Sequence, residues 1–146
     1  MYRIVYTSTS RKLMDSRALQ QILRSARTYN AANLITGMLI YHDGCFLQVL
    51  EGEQDDVERC YNQILKDHRH TSLIRMSAGT VTSRIFSNWW MSYQDFGDLS
   101  PRQQKQVISL TELGKTLREG ELIEDLTTHA ILLAFLSGFR DLEMAG

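Results

Sequence analysis

The chain has 146 residues, 43% of them hydrophobic and 23% charged, which suits one globular domain with a sizeable core and a short appendage. A formal charge of −1 and a pI near 6.4 argue against a nucleic-acid partner. The longest apolar stretch, residues 130–136, falls well short of the roughly 20 residues a membrane helix needs.

The opening MYRIVYTSTS has no basic segment leading into an apolar one, so no leader is expected. Tyr2, Ile4 and Tyr6 alternate with Arg3, Val5 and Thr7, a period-two strand signal. Asp15 or Ser16 is placed to cap a helix whose apolar stripe runs Leu19, Ile22, Leu23 and Ala26 and which ends near Asn30. Residues 35–41 and 45–50 are apolar runs around His42-Asp43-Gly44, and Asp-Gly between β-rich runs signals a tight hairpin. Glu51-Gly52-Glu53 interrupts the pattern, and a second helix carries Val57, Tyr61, Ile64 and Leu65 on one face. Strands are expected over 73–81 and 88–93.

Ser100-Pro101 then marks a helix start, with Val107, Leu110, Leu113 and Leu117 as its stripe. After Gly120 a last helix over about 122–142 is apolar on more than one side, with Ile131, Leu132, Leu133, Phe135, Leu136 and Phe139. Such a helix needs cover on several sides, so self-association through the C-terminal helices is expected. The order β-α-β-β-α-β-β followed by two helices predicts an α+β, ferredoxin-like mixed five-stranded sheet with two helices on one face. It also divides the chain into a unit over 1–97 and a two-helix extension over 98–146. Cys45 and Cys60 are too few and too poorly spaced for a zinc site or disulfide framework; they read as free thiols of a cytoplasmic protein.

Polar residues stand where a core belongs. Gln48 shares a strand face with Phe46 and Leu50, and a buried amide left unpaired costs about 1–3 kcal/mol for each unmet group. Backbone or a buried water would satisfy it in a purely structural role. Asn30, four residues beyond Ala26, continues the stripe of the first helix, and Tyr6 brings a hydroxyll to the same interior if its face is the covered one. A helix cap and an ordinary core tyrosine are the plain explanations of these two. Together the three groups suggest a planar polar ligand between the helices and the sheet.

The strings RTYN at 27–30, ITGML at 35–39, FLQVLEG at 46–52, DHRH at 67–70 and WWM at 89–91 resemble the BLUF family, sensors of blue light using flavin. The resemblance covers about residues 1–97, and FLQVLEGE with upstream ITG and downstream D-x-RH is its most specific part. The short chain with two trailing helices is similar to the stand-alone proteins of that family. The resemblance implies a non-covalently bound flavin, FAD with FMN or riboflavin as alternatives, lying between the two helices. It implies that Tyr6 and Gln48 are photoactive, that Asn30, Asp67, Arg69 and His70 join them in binding flavin, and that Trp89, Trp90 and Met91 relay the signal. It further implies a light-driven rearrangement of hydrogen bonds, with no enzymatic turnover and no metal, read by a downstream signalling protein. Three positions depart from the family: Trp90 where a small residue is usual, Leu34 where glycine is common, and Gln63 where a basic residue is frequent.

Two other functions were open to the same scaffold. An acylphosphatase-like hydrolase needs a phosphate cradle with an arginine aimed into it, and Thr7-Ser8-Thr9-Ser10 offers no glycine-rich loop. A flavin-free interaction module would use the last helix and leave Tyr6, Asn30 and Gln48 unexplained.

Overall fold

The computed structural model describes residues 1–118 and 120–145; residues 119 and 146 of the expected extension lie outside the described residues. Strands β1 (Tyr2–Ser10), β2 (Thr36–His42), β3 (Cys45–Gly52), β4 (His70–Thr80) and β5 (Trp90–Asp95) form one sheet in the order β4-β1-β3-β2-β5. All neighbours pair antiparallel except β2 and β5, which run parallel. Helices α1 (Ser16–Ala32) and α2 (Gln54–Leu65) cross between strands, and α3 (Pro101–Thr116) and α4 (Leu126–Ala145) follow. This is the expected ferredoxin-like arrangement.

Local chemistry explains the boundaries. The Asp15 side chain caps α1 by accepting from the Ala18 amide at 2.9 Å. Asp43 and Gly44 both have positive φ (48° and 81°), which gives the two-residue turn between β2 and β3 its required hand. At Ser100 a capping box with Gln103 starts α3, with Pro101 at its first position.

Sheet and helices form three layers. Ile4, Tyr6, Leu39, Phe46 and Leu50 pack against Leu19 and Leu23 of α1 and Val57, Cys60 and Tyr61 of α2. On the opposite face Val5, Met38, Ile40, Leu47 and Val49 pack against Val107 and Leu110 of α3 and Leu132, Phe135, Leu136 and Phe139 of α4. All eight residues of β3 are therefore buried, and each large apolar side chain so covered contributes about 1.5–3 kcal/mol. Among the described residues of α4, Leu132, Phe135, Leu136 and Phe139 are covered by the sheet and α3, while Ile131 and Leu133 stay exposed.

Two glycines set interlayer distances. A Cβ at Gly114 of α3 would stand 2.1 Å from Thr7 Oγ1, so the helix lies directly on β1. At Gly37 a Cβ would stand 1.9 Å from the Val49 carbonyl oxygen, part of a backbone that cannot turn away. Gly37→Ala is expected to destabilise the fold by about 1–3 kcal/mol, read as a lower urea midpoint. An unchanged midpoint would show that β2 has room to shift.

Several boundaries differ from those expected. Strand β3 runs through Glu51 and Gly52, because the buried Glu51 carboxylate accepts from Arg3 Nε (3.0 Å) and the Ile85 and Phe86 amides (3.0 and 2.9 Å). Strand β5 begins at Trp90, since the Trp89 amide closes a turn onto the Phe86 carbonyl. Helix α1 continues two residues past Asn30, and α4 starts at Leu126. The Ile123 amide donates instead to Met76 of β4 (2.8 Å), and Asp125 then turns the chain into the helix.

Candidate functional site

A cavity of about 270 Å³ opens between α1, α2 and the sheet. Its wall includes Tyr6 and Gln48 from the sheet, Ala26 and Asn30 from α1, and Cys60 from α2. The volume lies just below the roughly 300–1,000 Å³ of most ligand clefts, room enough for a flat ring system.

Antiparallel pairing sets Tyr6 directly opposite Gln48. The Tyr6 hydroxyl donates to Gln48 Oε1, and Gln48 Nε2 donates to Met91 Sδ at 3.1 Å. All three are nearly inaccessible to solvent: Tyr6 is 2%, Gln48 5% and Met91 1% exposed. Burial drives the Tyr6 pKa well above that of an ordinary phenol, with Cys60, Tyr61 and Asp67 adding to the effect. The phenol is therefore a protonated donor, and the glutamine between it and the sulfur serves as acceptor at one end and donor at the other.

Asn30 completes the inner wall. Its Oδ1 faces the Cys60 thiol at 3.6 Å, while its Nδ2 is the one buried side-chain polar atom without a partner among the described residues. Burial pushes the Cys60 thiol up to about 12, so it stays neutral and donates. An unmet buried donor costs about 1–3 kcal/mol, which a guest with a carbonyl at that point would recover.

At the mouth, Asp67 and Arg69 form an ion pair, with Arg69 Nε 2.9 Å from Asp67 Oδ1. Hydrogen bonds from the Arg69 side chain hold the Asp67 carboxyl below its usual range. His70 lines the cavity with both ring nitrogens engaged: Nε2 lies 2.9 Å from the Ile64 carbonyl and Nδ1 2.9 Å from Ser8 Oγ. A carbonyl can only accept, so Nε2 carries the proton. The interior is thus mostly apolar, through Ile22, Leu39, Phe46 and Ile64, with a few neutral polar groups set into it and an ion pair at its mouth. This donor set fits the flat, neutral, carbonyl-bearing ring of a flavin.

The structure brings Tyr6, Asn30, Gln48, Asp67, Arg69 and His70 to one cavity. It brings neither tryptophan there. Trp89 packs on Phe86 (ring centroids 5.4 Å) beneath α3 and α4, and Trp90 is 42% exposed. Met91 is the residue of this segment that reaches Gln48. Its φ of +117° is unusual for a side chain of this size and costs about 1–3 kcal/mol. Leu34, where glycine was the expected type, also has positive φ (54°), and Arg84 Nη2 holds its carbonyl at 2.7 Å. The sequence also hid the part played by Cys60, although it continues the stripe of Val57 and Ile64 at spacings of three and four.

The profile described as "BLUF: Sensors of blue-light using FAD" matches residues 1–92. The chain belongs to the BLUF family. Membership makes it a flavin-binding blue-light photosensor module in signal transduction. The beta subunit of photoactivated adenylate cyclase from Euglena gracilis is 33% identical over 87 residues, which are 60% of this chain and 10% of that protein. The chain thus spans about a tenth of that relative's length.

Among solved structures, the photo-activated state of BlsA aligns over 95% of this chain and 94% of its own, with a TM-score of 0.73 and 26% identity. The dark state of BlrB, a BLUF protein, aligns over 80% of this chain and 96% of its own, with a TM-score of 0.64 and 25% identity. Among the described residues, no helix is long and apolar enough to cross a membrane, and no cluster of potential metal ligands occurs.

Proposed function

We propose that this BLUF chain holds FAD non-covalently and converts blue light into a re-pairing of the Gln48 amide. The observation that carries the proposal is the continuous chain of hydrogen bonds from Tyr6 through Gln48 to Met91, beside the unpaired Asn30 amide. Asn30, Gln48 and Tyr6 would hold the ring, with Asp67, Arg69 and His70 at its edge and towards the mouth. When bound, the flavin supplies blue-light absorption and a short-lived excited oxidant.

With flavin bound, Tyr6 would lend it an electron while the phenolic proton moves along the existing bond towards Gln48 Oε1, and both would return to Tyr6 as the site recovers. Gln48 answers by rotating or tautomerising, which leaves no charge buried, and its Nε2 gives up Met91 Sδ. Exchanging one or two buried hydrogen bonds is worth on the order of 1–3 kcal/mol. That shifts a two-state equilibrium by about ten- to a hundredfold, enough to move an edge strand without unfolding the domain.

Residues 1–97 would form the sensor and 98–146 the docking or output element of a cytoplasmic protein. Trp89, Trp90 and Met91 would carry the change outward, where a signalling protein or a second copy, meeting the exposed side of α4, would read it. The purified protein is expected to be yellow, with an absorption band that moves slightly to the red under blue light and recovers in the dark. Mass spectrometry of the released cofactor distinguishes FAD from FMN and riboflavin. A colourless preparation that takes up no added flavin would overturn the proposal.

A further inference from the structure

Strand β5 is an edge, paired only with β2. Within that pairing Gly37 lies opposite Trp90 and Met38 opposite Ser92, so Met91 is an extra residue, a bulge with φ of +117°. A bulge bends its strand and re-aims the side chain it carries. Here Met91 turns inward until it is almost fully buried, while Trp90 beside it remains exposed. A non-glycine residue keeps such a dihedral only where its surroundings over-determine it.

Two tethers do so. Gln48 Nε2 donates to the Met91 sulfur at 3.1 Å, and Arg27 Nε on α1 donates to the Met91 carbonyl at 3.1 Å. Arg27 lies on α1 three residues before Asn30, so the helix that lines the cavity also grips the edge strand.

We infer that Arg27 is the positioning residue that couples the Gln48 amide to strand β5, by pinning the carbonyl of the Met91 bulge to α1. The inference rests on the Tyr6–Gln48 switch proposed above and adds its route to the surface. With both tethers made, the bulge is clamped. When the sulfur loses its donor, Arg27 alone holds the bulge, and β5 moves relative to α1 by pivoting on that carbonyl. Without Arg27 the strained dihedral relaxes in darkness, and light finds nothing left to release. The switch keeps its colour change and loses its output.

The test is hydrogen exchange of the flavin-loaded full chain, dark and illuminated, for the parent, Arg27→Gln and Arg27→Lys. In the parent, amides of β5 should exchange slowly in the dark and faster in light. In Arg27→Gln their dark exchange should rise roughly tenfold, the loss expected for one charge-assisted hydrogen bond, with light adding nothing further. Its absorption shift should persist, and Arg27→Lys, which keeps a cationic donor, should recover part of the light-dependent difference.

Dark exchange of β5 in Arg27→Gln as slow as in the parent would overturn the inference. So would an equal rise across β1 and β3, which would make Arg27 a general stabiliser. A parent without any absorption shift would overturn the Tyr6–Gln48 switch instead, and the dark comparison would still decide whether Arg27 clamps the bulge.

Discussion

Replacing Gln48 by Leu is expected to leave a yellow protein whose absorption spectrum is identical in darkness and under blue light. Leucine occupies much of the same space and suits the neighbouring Leu39 and Phe46, so the cavity keeps its shape. What disappears is the side chain that accepts from Tyr6 at one end and donates to Met91 at the other. The Tyr6 hydroxyl, buried and unable to ionise at neutral pH, would lack an acceptor at a cost of about 1–3 kcal/mol. A modestly lower melting temperature should therefore accompany the silent spectrum. A red shift surviving in Gln48→Leu would place the switch outside this amide.

Glu51→Ala is expected to produce the largest loss of stability. The carboxylate is fully buried near the end of the central strand β3, and four donors converge on it: the Arg3 guanidinium, through Nε and Nη2, and the Ile85 and Phe86 amides. Removing one partner of a buried ion pair costs about 3–5 kcal/mol, because the remaining groups stay desolvated and unpaired. For a chain of this length that corresponds to a fall in Tm on the order of 10 °C. The loop leading to Trp89, Trp90 and β5 hangs on this carboxylate, so its proteolysis should accelerate before that of the rest of the sheet. A Tm within a degree or two of the parent would mean that water satisfies Arg3 and the two amides as well as Glu51 does.

Period-two and helical stripes made the element order legible, and the Asp43-Gly44 turn and the Ser100-Pro101 helix start were visible as residue types. Gln48 and Asn30 stood out because each sets a polar side chain on an otherwise apolar face. Glu51 was misread for the same reason: a charge in a strand normally ends it, and only the register that sets Arg3 opposite Glu51 reveals a buried pair. The start of α4 was misplaced because Leu122 and Ile123 are apolar enough for a helix, yet the Ile123 amide finds a carbonyl on β4. Met91's inward turn depends on a bulge, which no local pattern of Trp-Trp-Met encodes. Arg27 looks like any solvent-facing helix arginine until β5 is laid beside it. What sequence hides here is long-range pairing; what it shows is local periodicity and the exceptions to it.

The contact between Thr7 and Gly114 has one more implication. Consecutive residues of β1 stand on opposite sides of a wall one strand thick, Tyr6 in the ligand chamber and Thr7 against the bare backbone of α3. A strand cannot roll one of these side chains inward without rolling the next one outward. Since Gly114 has no side chain to give way, a roll of β1 that turned Tyr6 would press Thr7 directly on the backbone of α3.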